Sequence, residues 1–419
     1  MERRQIAVVG SGVAGLTAAH VLQRVCDVTL YEADDRPGGH AHTHELTRDA
    51  GKVVRVDSGF IVHNERTYPL LLRLFRELGV STQDSEMSMS VRCDGCGLQY
   101  AGARGLAGLF AQPRSVVRGP YLRMLGQVPA FHRAARAALV SDREGARTLG
   151  EFLADGGFTP YFVHHFMTPL VSAVWSCAPE IAMRYPATYL FRFLEHHGML
   201  SVRGAPKWKT VTGGSAEYVS RVVKQLTAVH TSTPVRAVRR EPGRARVITG
   251  DGEDTYDAVV IAVHPDQALR LLADPTPDEA RVLGAFRYSR NHTVLHTDAT
   301  VLPTAQGARA SWNYRMPSCA STADKVQVSY DMSRLQRLEG PHPYIVTLNG
   351  EDRIDPGRVV DRMTYEHPVY TRESVAAQQH LPRLNTPVTA YAGAYHGWGF
   401  HEDGCRSGVR AAAALGVPW

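Results

Sequence analysis

Gln5-Ile6-Ala7-Val8-Val9-Gly10-Ser11-Gly12-Val13-Ala14-Gly15 opens the part of the chain that decides the fold. Its first five residues form a short apolar run suited to a buried parallel strand, and the glycine-rich turn follows at once. A helix is predicted from that turn to about Val25, and Asp27-Val28-Thr29-Leu30-Tyr31 is a second strand ending at Glu32. Each glycine has its own job. Gly10 lets the chain leave the strand sharply, Gly12 removes a side chain where a pyrophosphate must approach the backbone, and Gly15 lets the helix lie against the sheet. Val13 and Ala14 then begin a helix whose free amides face the phosphates. Glu32 stands where an acid accepts hydrogen bonds from a ribose diol, which selects an unphosphorylated ribose. A strand-to-helix turn with no ligand would not need the three glycines and the acid together.

The following residues distinguish among dinucleotides. Arg36-Pro37-Gly38-Gly39-His40 resembles the R-x-G-G extension of flavoproteins of the amine oxidase and phytoene desaturase superfamily. Val56-Asp57-Ser58-Gly59-Phe60-Ile61-Val62 resembles that family's D-x-G strand, and Tyr68 to Val80 its short helix ending in L-G. Further on, Thr212-Gly213-Gly214-Ser215 resembles the family's G-G turn, and Val235 matches the residue that contacts the adenine end. A last strand is expected over Val388 to Tyr395, with a helix starting near Gly399 to His401. The resemblance therefore covers most of the chain and implies FAD as cofactor. It also implies that Gly393, Phe400, His401 and Glu402 belong to the segment whose helix N-terminus points at the flavin ring.

A subgroup match is carried by Gly399-Phe400-His401-Glu402-Asp403-Gly404, Tyr330 to Gln336, and His367-Pro368-Val369. It resembles bacterial members that accompany cyclopropane, methylated and furan fatty acid metabolism. The fold expected is α/β: a Rossmann-like FAD-binding domain of the glutathione reductase type with a second, mixed α+β substrate domain. The expected boundaries are 1–80, 205–270 and 385–419 for the first, and 81–204 and 271–384 for the second.

Amine oxidases of the superfamily usually carry a lysine near the reactive edge of the flavin and a glutamate in a C-terminal G-E pair. Here the corresponding strand offers Asn291-His292, and Gly393 is followed by Ala394. Both departures argue against amine oxidation. Tyr395, His396 and His292 are the candidate catalytic residues, since an imidazole can move a proton near neutral pH. Trp398, Phe400, Trp175, Tyr314 and Tyr330 are candidate substrate contacts, each with core packing as the alternative. The expected activity is FAD-dependent oxidation or desaturation of an apolar substrate, a fatty acyl chain or polyene. A flavin amine or amino acid oxidase, a redox-neutral isomerase and a non-catalytic flavin subunit stay open as alternatives.

No apolar run reaches the roughly 18–20 residues of a membrane span, and the chain enters its first core strand directly after Met1-Glu2-Arg3-Arg4, so a cytoplasmic location is expected. The net charge of +6 over 419 residues is unevenly placed and no nucleic-acid partner is expected. Arg104, Arg114, Arg118, Arg123, Arg133 and Arg136 occur with no acid between Gly95 and Val140. Interleaved with apolar residues, this stretch suits either peripheral contact with anionic lipid or a solvated face on core helices. Six scattered cysteines do not form a disulfide framework. Cys93-Asp94-Gly95-Cys96 is a single C-x-x-C without a second pair in the sequence, and a plain turn between strands with no metal is expected.

Overall fold

The computed structural model describes residues 3–47, 51–141, 147–201, 204, 206–320 and 324–419. Its first layer is a five-stranded parallel sheet in the order Ala228–His230, Asp27–Tyr31, Gln5–Val9, Ala258–Ile261, Thr389–Tyr391. Ile6, Ala7 and Val8 are fully buried, as expected of a central strand covered on both faces. The helices Val13–Gln23 and His401–Ala414 pack together on one face. Their close contact depends on Gly408, where an added Cβ would lie 2.3 Å from the Ala14 carbonyl oxygen. The ends of the chain thus meet in this layer.

A seven-stranded mixed sheet forms the second body, in the order Val359–Val369, Arg287–His296, Ile345–Leu348, Val328–Asp331, Trp312–Met316, Met89–Cys93, Gln99–Gly102. Its strands come from both sides of the dinucleotide-binding return at residues 208–261. The sheet is covered by helices that include Gly119–Val140, Thr168–Trp175 and Ala187–His196. Tyr121, Met124, Phe131 and Ala135 turn the inner face of the long helix into an aromatic core with Phe162 and Phe191. A strand begins at Ala237, two residues beyond Val235. Pro234 lies in the preceding irregular segment and has no backbone N–H to give to a ladder.

Candidate active site

One cavity of about 1110 Å³ runs from the glycine turn to the helical cover of the second sheet. At its first end Gly10 has φ +98, and a Cβ there would lie 2.7 Å from the Ala262 carbonyl oxygen. A Cβ on Gly12 would meet nothing within 4 Å and would project into free space. Val13, Ala14, Gly38, Gly39 and Gly59 line the same end. Glu32 accepts from the Ser11 amide at 2.9 Å and from the Asp34 amide at 3.0 Å. Arg36 donates through Nη2 to the Gly39 carbonyl at 2.9 Å, while its Nη1 is buried without a partner. A glycine cradle, a helix N-terminus and an orphaned guanidinium nitrogen are what a pyrophosphate would satisfy. The residues present therefore fit a dinucleotide, with Val235 along the same wall.

Two expected cofactor residues do something else. Gly15 does not line the cavity; its Cβ would sit 1.9 Å from the Gly10 carbonyl oxygen, so it serves the packing of helix on turn. Glu402 also stays outside, accepting from the Leu70 and Leu71 amides at 3.2 and 3.0 Å. It caps the helix Pro69–Leu78, whose first amides have no intrahelical partner.

The middle of the cavity is bordered by His40, Phe60, Ile61, Tyr365, His367 and His401. Phe60 stacks on His401 at 3.5 Å between ring centres, and His401 Nε2 is 3.1 Å from the Tyr218 hydroxyl. Burial, with His63 adding to it, lowers the His401 imidazole to about 3. Burial and the neighbouring His264 lower His367 to about 4, and burial followed by His367 holds His40 well below the usual range. These rings are neutral near pH 7, so the middle of the cavity carries no imidazolium charge.

The far end is aromatic. Trp175, Phe193, Trp398 and Phe400 make one wall, with Phe193 stacked on Phe400 at 4.9 Å. Tyr330 and Trp312 meet edge to face at 5.3 Å on another. Trp175 Nε1 donates to the Trp398 carbonyl at 3.0 Å. The loop that carries Trp398 and Phe400 is fixed by Asp403, which accepts from both their amides at 3.1 Å. Gln378 braces it by donating to the Tyr395 and Gly397 carbonyls at 2.8 and 2.6 Å. Burial lifts the Asp403 carboxyl to about 6. Tyr395 lines the cavity beside Gly393, and its hydroxyl is buried without a partner, as are the indole N–H groups of Trp312 and Trp398.

Three candidates from the sequence fall outside. His292 is exposed on the strand Arg287–His296, where alternation buries Asn291 instead. Asn291 accepts from Asn349 at 2.7 Å and donates to the Ser176 carbonyl at 3.1 Å. His396 closes the short 3₁₀ turn Ala394–His396 and points away from the cavity, its Nε2 buried without a partner. Tyr314 is core packing, 2% exposed and off the cavity wall. Sequence reasoning missed Phe193, His197, His264 and Trp312 as lining residues. His367, within the H-P-V segment, lines the cavity as well. None of the five lysines in the chain lines the cavity.

The fold and this cavity define a two-body dinucleotide-binding flavoprotein. The profile of the Flavin containing amine oxidoreductase family matches residues 13–416. The chain belongs to that family, and its cofactor is FAD. It is 28% identical over 280 residues to AofH of Mycobacterium tuberculosis, assigned as a flavin-containing monoamine oxidase, covering 64% of this chain and 59% of AofH. It is 29% identical over 298 residues to the carotenoid phi-ring synthase of Streptomyces griseus, covering 64% of this chain and 54% of the synthase. The chain thus spans less than two thirds of the length of these relatives. Among solved structures, a fatty acid isomerase of P. acnes that produces CLA shares the fold with a TM-score of 0.66 at 17% identity, over 97% of both chains.

Proposed function

We propose that this protein is an FAD-dependent oxidoreductase that oxidises or desaturates an apolar substrate, a fatty acyl chain or a polyene. The carrying observation is the character of the far end of the cavity, where Trp175, Phe193, Trp312, Tyr330, Trp398 and Phe400 gather with no charged side chain among the described residues there. Among the described residues, the charged ones lining the cavity are Glu32, Asp34, Arg36, Arg270, Arg290 and Glu366. The first three follow the glycine turn, and Arg290 pairs with Glu366 at 3.4 Å, which also meets His264 at 3.2 Å. Burying apolar chain against aromatic rings contributes about 25 cal/mol per Å², so an alkyl substrate gains what a charged amine would lose by desolvation. FAD supplies the acceptor for two electrons, taken with a hydride. The chain's own residues hold the substrate, exclude water and leave the single proton released with the hydride to neutral imidazoles or solvent.

Access to a lipid fits the surface near this end. Gly102 and Ala103 line the cavity, and Leu106, Val116, Val117 and Leu122 follow them as exposed apolar residues, Val117 at 80%. Arg114 and Arg123 are exposed among them. Among the described residues no helix is long and apolar enough to cross a membrane. Peripheral contact with an anionic bilayer is the proposed arrangement. Vesicles containing anionic lipid should pull down the protein, and Val117→Asp with Leu122→Asp should release it; equal binding by the variant would remove this part of the proposal.

Amine oxidation is the second reading, favoured by the family and by the likeness to AofH. Incubating the holoprotein with a lipid extract and with simple amines separates the two. Products of the first reading are acyl or polyene species lacking two hydrogens, detected by mass spectrometry. Aldehyde and ammonia from the amines, with no change in the lipid pool, would establish the second.

A further inference from the structure

Between Met89–Cys93 and Gln99–Gly102 the chain turns through Cys93-Asp94-Gly95-Cys96-Gly97-Leu98. The C-x-x-C has no companion ligands nearby in sequence, but the fold brings two. Cys319 comes from the loop after Trp312–Met316, and His165 from the π-helical turn Val163–Met167. One donor atom from each of Cys93, Cys96, His165 and Cys319 lies within 4.8 Å of the others.

We propose that these four residues form a closed zinc site, separate from the cavity and structural in role. Its geometry can be checked against the metal. Tetrahedral zinc with Zn–S near 2.3 Å and Zn–N near 2.05 Å has S···S edges of roughly 3.8 Å and S···N edges of roughly 3.6 Å. Cys93 Sγ and Cys319 Sγ are 3.8 Å apart, and Cys96 Sγ is 3.6 Å from His165 Nε2. A disulfide needs about 2.05 Å, and all these thiols are free.

The surroundings are arranged for ligation. His165 Nδ1 lies 3.2 Å from the Tyr161 carbonyl; donating there leaves the Nε2 lone pair facing Cys96, the usual support for a ligating imidazole. Tyr161 also stacks on the His165 ring at 3.9 Å, and the Tyr100 hydroxyl donates to the His165 carbonyl at 2.7 Å. Gly97, at φ +70, donates its amide to the Cys93 carbonyl at 2.8 Å. A Cβ on Gly95 would lie 3.0 Å from the Cys319 amide, so a glycine is needed for the third thiol to approach. Three thiolates and one Zn²⁺ leave one negative charge. Arg118 faces it, with Nη1 3.8 Å from Cys96 Sγ and Nη2 donating to the Cys96 carbonyl at 2.5 Å.

Metal binding here releases three thiol protons to solvent and forms three Zn–S bonds and one Zn–N bond, with no change of oxidation state. Four protein ligands leave no open position, which marks a structural rather than a catalytic centre. The site joins the hairpin over residues 89–102, the helical cover and the loop after Met316. Phe166 and Leu170, just beyond His165, line the far end of the cavity, so the metal fixes one wall of the substrate chamber.

The test is metal analysis of untagged, FAD-loaded protein purified without chelators. One zinc per chain is expected, released by a mercurial thiol reagent and counted with a chromogenic chelator. Protein grown with cobalt should show thiolate-to-cobalt charge-transfer and tetrahedral ligand-field bands, which do not depend on any variant folding. Cys96→Ser with Cys319→Ser should lose the metal and keep FAD. Zinc at background in the wild type, a disulfide between any two of the three cysteines, or undiminished zinc in the double variant would overturn the assignment.

Discussion

Replacing Gly12 by alanine should separate the cofactor site from the stability of the fold. Gly12 precedes the helix Val13–Gln23 with φ −61 and ψ 173, a backbone conformation open to any residue, and its added Cβ would touch no atom within 4 Å. The apoprotein should therefore change by less than about 1 kcal/mol, the weaker N-cap being partly offset by a less flexible unfolded chain. The methyl group instead enters the space where backbone amides meet the pyrophosphate. Losing one or two hydrogen bonds to a charged group, at about 1.5–3 kcal/mol each, should cost about 2–4 kcal/mol of FAD binding. That is a rise of roughly 30- to 1000-fold in Kd. Titrating deflavinated protein with FAD by fluorescence quenching reads the affinity, and a thermal melt of the apoprotein reads the fold. Gly15→Ala is the contrasting variant: its Cβ would lie 1.9 Å from the Gly10 carbonyl oxygen, so it should lower the melting temperature of the apoprotein itself. Wild-type FAD affinity in Gly12→Ala, with an intact fold, would refute the placement of the cofactor.

Glu402→Ala should destabilise the protein by about 0.5–2 kcal/mol through loss of the cap on Pro69–Leu78, with FAD affinity unchanged; a large loss of affinity in a titration would return Glu402 to the cofactor site. His292→Ala, His396→Ala and Lys325→Met should each leave the rate of flavin reduction within about twofold of wild type, because none of these side chains lines the cavity, and stopped-flow absorbance checks this against the 10²- to 10⁴-fold loss typical of a proton carrier. Stability should fall as pH drops below 6.5. Burial lowers His63, His197, His296 and His367 to about 4, and His42, His396 and His401 to about 3. The unfolded chain therefore takes up more protons than the folded one over this range. Asp57 and Asp403, raised to about 6 by burial, act in the opposite sense between their ordinary value of 3.8 and 6, but they are fewer. A melting temperature that is flat or rises from pH 7 to pH 5 would contradict the burial of these imidazoles.

The dinucleotide half was legible because its signals are local. A buried strand, three glycines with separate duties and an acid after the second strand lie within thirty residues, and each is forced by backbone geometry. In the second sheet the sequence marks a strand at Asn291-His292 but not which of the two residues faces inward. His292 and Asn291 differ by one position, and the sides are chosen by what packs beneath the strand, here Ser176 and Asn349. His396 failed for a related reason. A short 3₁₀ turn sits where extended chain was expected, and it sends Tyr395 to the cavity and His396 behind it. Glu402 and Cys319 show the remaining gap, since their partners, Leu70 and Cys93, lie more than two hundred residues away. Only the assembled fold brings such pairs together.

The most direct measurement is anaerobic bleaching of the bound flavin by substrates of matched chain length that differ in the head group: a long-chain acyl lipid, the corresponding alkyl amine and an amino acid. A chamber whose described lining is aromatic and uncharged, and which no lysine lines, predicts reduction by the acyl lipid, or by a polyene, and slow or no reduction by the amine and the amino acid. Fast bleaching by the amine with none by any lipid or polyene would contradict the account.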